Sequence, residues 1–314
     1  MMEGTRMLKI GEIFVPMTTT TTNKPNVQRI FERTDAIRRE EQKSLFQQKG
    51  VPILPQNIAP LSNTLAKSAL FQPTRKRGPR KYLKGEVIAS QPDIKLVYSG
   101  EELDIADMDN LLELYRRAAG RKPVPENLDP SRITEHQIRL DRADFLRALG
   151  KSKSGRNYDL LVTSLERLQG AVIKVEFEKE GKLLYSYGYH CIGSLEINNT
   201  GKGESYYTIP LYTYHFFEAN TFAYINMKRR KLLSHNPNLC KWLQSYAGGV
   251  GKEVYKIKIS TLMRYANATG RERDFRKALF TALNDLVKVG EFKYWQDHEN
   301  CVIEWLRNPK GEEV

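Results

Sequence analysis

The chain has 314 residues, 40% of them hydrophobic, which is length and apolar content for about two domains with real cores. Fifty Lys and Arg against 37 Asp and Glu leave a net charge of +13, and an excess of that size points to a polyanionic partner, nucleic acid first. Three scattered cysteines (Cys191, Cys240, Cys301) argue against a disulfide framework or a zinc site, and no apolar run approaches the ~18 residues of a membrane span, so the expected setting is the cytoplasm.

The charge is uneven. Residues 1–100 carry 17 Lys/Arg and 8 Asp/Glu, while residues 101–314 carry 33 and 29. This predicts a flexible basic N-terminal arm over residues 1–62 ahead of a folded body. Ile13-Phe14-Val15 is too short for the core of a signal peptide. After Pro16 the threonine tract Thr18 to Thr22 can neither pack nor hold a helix well, and reads as linker. Val27, Ile30, Phe31 and Ile37 then take helical spacing, and Pro52, Pro55 and Pro60 break the chain. A basic cluster follows: Arg75, Lys76 and Arg77, then Arg80, Lys81 and Lys84. Two readings stand for it, a solvated linker and a clamp on a phosphate backbone.

Beyond residue 100 the periodicity sharpens. Met108, Leu111, Leu112, Tyr115 and Ala118 mark one face of an amphipathic helix, with Asp104 and Asp107 at its positive end. A strand is expected over Gln137 to Leu140. Asp141 then caps a helix with Phe145, Leu146 and Leu149 inward, ending at Gly150. After the turn Lys151 to Ser154 comes a longer helix with Tyr158, Leu161, Leu165 and Leu168 inward, closed by Gly170. Ile173, Val175 and Phe177 alternate, and with Leu183 to Tyr189 they predict a β-hairpin.

The same order recurs. A helix is predicted over Pro237 to Tyr246 and a strand on Tyr255, Ile257 and Ile259. A short helix capped by Ser260 and a long helix from Arg271 to Gly290 follow, and then a hairpin through Phe292, Tyr294, Cys301, Ile303 and Trp305. Asp141 and Ser260 lie 119 positions apart; Gly150 and Gly270, and Gly170 and Gly290, lie 120 apart. Helix, strand, helix, turn, helix, hairpin is the order of a winged helix, and its recurrence at constant offset predicts an α+β chain with tandem winged-helix domains over residues 63–200 and 201–314.

In that motif the helix after the turn reads DNA. In the second domain Arg273, Lys277, Asn284 and Lys288 fall opposite the apolar stripe, with Arg271 and Arg276 flanking it. Arg matches guanine edges, Asn matches adenine edges, and any of the cations can hold phosphate. The rival reading is an ordinary solvated face, since Glu272, Asp274 and Asp285 are interspersed. The first long helix offers Arg156, Asn157 and Arg167 with Thr163, against Asp159 and Glu166, which suits backbone contacts more than base reading. Lys179 and Lys182 at the first hairpin turn can touch phosphate, whereas the second turn, Asp297 to Asn300, is too acidic.

The sequence offers no catalytic constellation and no cofactor motif. Gly248-Gly249-Val250-Gly251-Lys252 lacks the Gly and the Ser/Thr of a phosphate loop, having Tyr246 and Glu253 there, and reads as a turn between helix and strand. A nickase needs a nucleophilic Tyr and a tight histidine pair. The five histidines are dispersed, and Tyr185, Tyr187 and Tyr189 are one face of a strand.

Several ordered motifs resemble TrfA-type plasmid replication initiators: Asn63 to Phe71 (Asn-Thr-Leu-Ala-Lys-Ser-Ala-Leu-Phe), Tyr98 to Leu103, Leu146 to Gly150 and Ser154 to Tyr158. The similarity runs from about Gln42 to Tyr158, and more loosely to Trp305 through element order, Trp242-Leu243 and the Lys258 strand. The resemblance implies two winged helices that bind origin repeats (iterons), open AT-rich DNA and recruit the host replication machinery, including the replicative helicase and the host initiator. It also implies a homodimer in equilibrium with a DNA-binding monomer. Gln42, Ser44, Leu45 and Phe46 match the family's segment for the polymerase sliding clamp, with Lys43 where the family carries Leu; Leu45 and Phe46 otherwise just end the preceding helix. The alternative function is a winged-helix transcriptional repressor on operator DNA.

Overall fold

The computed structural model describes residues 54–73, 78–89, 94–118, 135–179, 182–199, 205–212, 222–251 and 253–308. All of them lie in one compact unit, Phe46–Val314. Its first half runs β1 (Ile58–Ser62), α1 (Asn63–Ala66), β2 (Phe71–Gln72), β3 (Tyr82–Ile88), β4 (Ile94–Glu101), β5 (Leu103–Asp104), α2 (Ile105–Ala118), β6 (Glu135–Asp141), α3 (Arg142–Ala148), α4 (Gly155–Gly170), β7 (Val172–Lys179) and β8 (Lys182–His190). The second continues with β9 (Glu196–Asn199), β10 (Ser205–Tyr212), β11 (Phe222–Asn226), α5 (Met227–Leu232), α6 (Pro237–Val250), β12 (Tyr255–Lys258), α7 (Ile259–Tyr265), α8 (Glu272–Lys288), β13 (Phe292–His298) and β14 (Val302–Arg307).

Helix α2 starts where its sequence asks it to. Asp104 Oδ1 accepts from the backbone N–H of Ala106 and Asp107, while Asp107 Oδ2 accepts back from Asp104 N–H, a reciprocal cap on the first turn. Met108, Leu111, Leu112, Tyr115 and Ala118 are all buried, as the spacing predicts. The cap of α3 is Asp141, whose side chain accepts from Asp144 N–H at 2.7 Å, and Gly150 follows with φ +71. Ser154 caps α4 in the same manner at 3.3 Å to Asn157 N–H.

The first hairpin does not stand alone. Strands β7 and β8 continue a four-stranded antiparallel sheet in the order β3-β4-β7-β8. Ile94, Leu96 and Tyr98 of β4 face inward at period two, and α4 packs against β4 with α2 against α4. Strand β6 pairs instead with β10, in a separate sheet β6-β10-β9. The second half gathers β12, β13 and β14 into a sheet of their own, in the order β12-β14-β13 with Tyr255 opposite Trp305, whereas its β10 and β11 pair with first-half strands. Its core is aromatic: Trp242 stacks on Tyr246 at 5.4 Å and Phe292 on Trp305 at 5.7 Å, with Tyr265 5.8 Å from Tyr246. Rings of this size bury the largest apolar areas in a core, and Trp242 and Trp305 are the largest fully buried side chains.

Three local expectations are corrected. Residues 58–62, read as the end of the arm, form β1, which pairs with β11 from Ile58↔Asn226 to Ser62↔Phe222. Ala59 and Leu61 are fully buried there, so Pro60 breaks no structure; it sits in a two-stranded ribbon, where a missing N–H is tolerated. Ser260 is not a cap: α7 begins at Ile259, and its N-cap, Lys258, makes no side-chain bond. Gly248 and Gly249 lie inside α6, not in a turn. A Cβ on Gly248 would stand 3.0 Å from Ala223 Cβ, and one on Gly249 would stand 3.2 Å from Ala66 Cβ, so both glycines let the helix approach β11 and α1.

The two halves meet on a buried ion cluster. Asp109 of α2 takes Arg230 Nε of α5 at 2.6 Å and Lys241 Nζ of α6 at 2.6 Å. Arg230 also donates to Lys241 O, Gln244 and Ser245. Burial alone would raise the Asp109 carboxyl, but the two cations outweigh it and hold it below its ordinary value.

Candidate nucleic-acid interface

Helix α8 has three faces, and each does something different. Phe275, Leu279, Ala282, Leu283 and Leu286 are buried against the core. Asp285 is buried with them, which the sequence reading had placed on the solvated side. Its carboxylate accepts from Ser234 N–H at 3.1 Å and His235 N–H at 3.3 Å, and it faces His235 Nδ1 at 3.1 Å. Burial pushes this carboxyl up, but the bonds from His235 and Ser234 prevail and hold it down. Asp285 thus ties the last turn of α8 to the entry of α6.

The opposite face is open. Arg273, Lys277, Thr281, Asn284 and Lys288 recur at i, i+4, i+4, i+3 and i+4 and are all exposed. Arg271, the N-cap residue, is exposed at the start of the helix. The pairing around it is loose: Arg273 Nε stands 3.8 Å from its neighbour Asp274, with both side chains mostly in solvent. Lys288 sits in the last turn, where the helix dipole favours a cation.

The third face was not legible beforehand. Arg276, Phe280 and Asn284 form an i, i+4, i+8 ridge, and β13 lies along it. The Arg276 guanidinium pairs with Asp297 and sits 5.2 Å over the Phe280 ring. Phe280 lies 4.9 Å from Trp295, and Trp295 Nε1 donates to Asn284 Oδ1 at 2.9 Å. Trp295 and Asp297 are two apart on one strand, hence on one face. Of the second-domain candidates, then, Arg276 and Asn284 are engaged by the hairpin, while Arg271, Arg273, Lys277 and Lys288 face outward.

In the first half the candidates separate. Arg156 is exposed at the start of α4, beside the exposed Lys153. The Asn157 side chain bridges back to Ser152, at 2.9 Å to its carbonyl and 3.0 Å to its hydroxyl, bracing the turn before the helix. Arg167 turns inward: it donates to Asp107 Oδ1 at 2.7 Å, and its side chain is 11% exposed. Asp107, fully buried, also takes Ser164 and Arg80. Arg80 belongs to the basic cluster but is committed here, bonding Asp104 at 2.6 Å as well, so this member is neither a solvated linker residue nor a free clamp. Lys81 and Lys84 are exposed, and residues 75–77 lie outside the described residues. Lys182 is exposed at the hairpin turn, and the side chain of Lys179 lies outside the described set. Gln42, Ser44, Leu45 and Phe46 also lie outside it.

Among the described residues no group of three or more His, Cys, Asp or Glu is placed to hold a metal ion, and no helix is long and apolar enough to cross a membrane. Cys191 is buried, which pushes its thiol up to about 12, and burial with the nearby Asp285 charge does the same to Cys240.

The chain is similar to known proteins in three ways. The model of the TrfA protein family matches residues 23–300. The plasmid replication initiator protein TrfA of Escherichia coli is 30% identical over 146 residues, 46% of this chain and 35% of that protein, so the match spans about a third of the relative's length. The crystal structure of RctB domains 2-3 superposes with a TM-score of 0.52 at 12% identity, covering 79% of this chain and 97% of that one. At that identity the likeness speaks for the fold alone, a mixed arrangement of helices and sheets. Because the family's model spans nearly all of the sequence, the chain belongs to the TrfA family.

Proposed function

We propose that this protein is a plasmid replication initiator: it binds repeated sequences in an origin, promotes opening of the adjacent duplex and recruits the host machinery without catalysing a reaction. The observation that carries the reading is the exposed α8 stripe of Arg273, Lys277, Asn284 and Lys288, set on a helix whose other sides pack on the core and along β13. A major groove about 12 Å wide admits one helix, and a stripe of Arg, Lys and Asn supplies both base and phosphate contacts. Family membership and the name of the Escherichia coli relative support the initiator role.

On this reading residues 237–307 form a winged helix, which the pairing of β12 with β14 supports. Residues 105–190 form a second one, altered in that β6 pairs with β10 instead of with its own hairpin. The first half then contributes phosphate contacts through Lys153 and Arg156 at the start of α4. Gln42, Ser44, Leu45 and Phe46 engage the polymerase sliding clamp, the helicase and host initiator join at the opened origin, and a homodimer exchanges with the DNA-binding monomer.

A plasmid carrying the cognate origin, with this chain supplied from a second replicon, separates initiation from repression. Retention of the plasmid only when the chain is present is the expected result. Loss of the plasmid, with a footprint confined to a promoter, would favour the repressor. In the same host Leu45→Ala with Phe46→Ala should weaken clamp binding about thirty-fold or more and leave duplex binding intact.

A further inference from the structure

The ridge that β13 covers on α8 constrains what the helix can read. Indole Nε1 is a donor only, so the atom of Asn284 that meets Trp295 at 2.9 Å is its carbonyl oxygen. The amide NH2 is then the arm left for another partner, on a residue exposed along the stripe with Lys277 and Lys288. An asparagine free to flip presents either an acceptor or a donor to a base edge; this one, with its oxygen engaged by Trp295, has its donor left to offer. Trp295 is itself held by its ring contact with Phe280. On the same strand face Asp297 neutralises Arg276, which Phe280 also supports from below.

Resting on the reading of α8 as the DNA-reading helix, we propose that Trp295 and Asp297 are positioning residues for sequence recognition. Trp295 fixes Asn284 as a donor aimed at an acceptor on a base edge, such as a purine N7 or thymine O4. Asp297 withholds Arg276 from the phosphate backbone. The hairpin thereby raises specificity from both sides, sharpening one base contact and suppressing one sequence-independent contact. The acidic second turn, which is unfit for phosphate, fits this role.

The test uses the full chain and duplexes of one origin repeat, with every single-base substitution of it and a scrambled duplex, titrated at several salt concentrations. Trp295→Phe keeps a six-membered ring to set against Phe280 and removes the donor along with the smaller ring. It should relax preference at one base position by about tenfold, the same position relaxed by Asn284→Ala, with the salt slope unchanged. Asp297→Asn should instead tighten binding to the scrambled duplex and steepen the log–log salt slope by roughly 0.9, lowering the specificity ratio. If Asn284→Ala relaxes a position that Trp295→Phe leaves intact, or Asp297→Asn leaves the slope unchanged, the positioning role is wrong while α8 remains the reader. If Arg273→Ala with Lys277→Ala also leaves binding intact, the reading of α8 and this inference fall together.

Discussion

Replacing Asp109 by Asn should destabilise the whole described body more than any change on the α8 surface. Among the described residues the Asp109 carboxylate is the one anion paired with Arg230, whose side chain is 2% exposed, and it also takes Lys241. Breaking a buried pair by removing one partner costs ~3–5 kcal/mol, because the other charge stays buried without compensation. Arg230 keeps bonds to Lys241 O, Gln244 and Ser245, which places the expected cost at the lower end, about 3 kcal/mol. At about 2–3 °C per kcal/mol for a body of this size, the melting temperature should fall by roughly 6–9 °C. The pH dependence carries a sign. Asp109 has a lowered pKa in the fold, so its contribution is fully present above the unfolded carboxyl value of about 3.9 and is lost as pH falls through the folded value. Thermal melts of wild type and Asp109→Asn from pH 7 downward should therefore converge in acid. A variant melting within 1 °C of wild type at pH 7 would show that the pair does not join the halves.

Other outcomes follow from local geometry. Arg167→Ala should lower stability by about 1–3 kcal/mol in urea titrations, since it strips a partner from the buried Asp107, and should leave the salt slope of DNA binding unchanged. Gly248→Ala should destabilise by about 1–2 kcal/mol through its 3.0 Å approach to β11, whereas Gly170→Ala, with open space around it, should be neutral or stabilise by about 0.5 kcal/mol. In a thiol-labelling time course on the native protein, Cys301 should react first, with Cys191 and Cys240 far behind; fast labelling of Cys240 would contradict its burial.

Helices α2, α3, α4 and α8 were readable because each is amphipathic and separately punctuated, by Asp141 and Gly150 or by Gly290 with its φ of +73, whereas the short α5 was not read and α7 lacks the cap assigned to Ser260. Strand β4 carried the same kind of signal in Ile94, Leu96 and Tyr98, yet only one of its two neighbours, β3, is local: β7 lies nearly 80 positions on, and no period records that pairing. The same holds for β1 with β11 and β6 with β10. Charge proved ambiguous for a related reason. Arg167 and Arg273 look alike in sequence, but one is drawn inward by Asp107 and the other faces solvent. Asp285 and Asp274 differ similarly. The exposed stripe on α8 was legible from a helical wheel; the grip of Trp295 and Asp297 on its flank needed the fold.

The central claim is that α8 reads DNA, and one titration tests it most directly. Wild type, Arg273→Ala and Lys277→Ala are compared on an origin-repeat duplex and its scrambled form across a salt series, with melts establishing that each is folded. Arg273→Ala should cost ~1–3 kcal/mol on the repeat and relax one base position, and Lys277→Ala should weaken all sequences alike while flattening the salt slope by roughly 0.9. Folded variants that bind the repeat as tightly as wild type, with the same slope, would mean that α8 is not the reader.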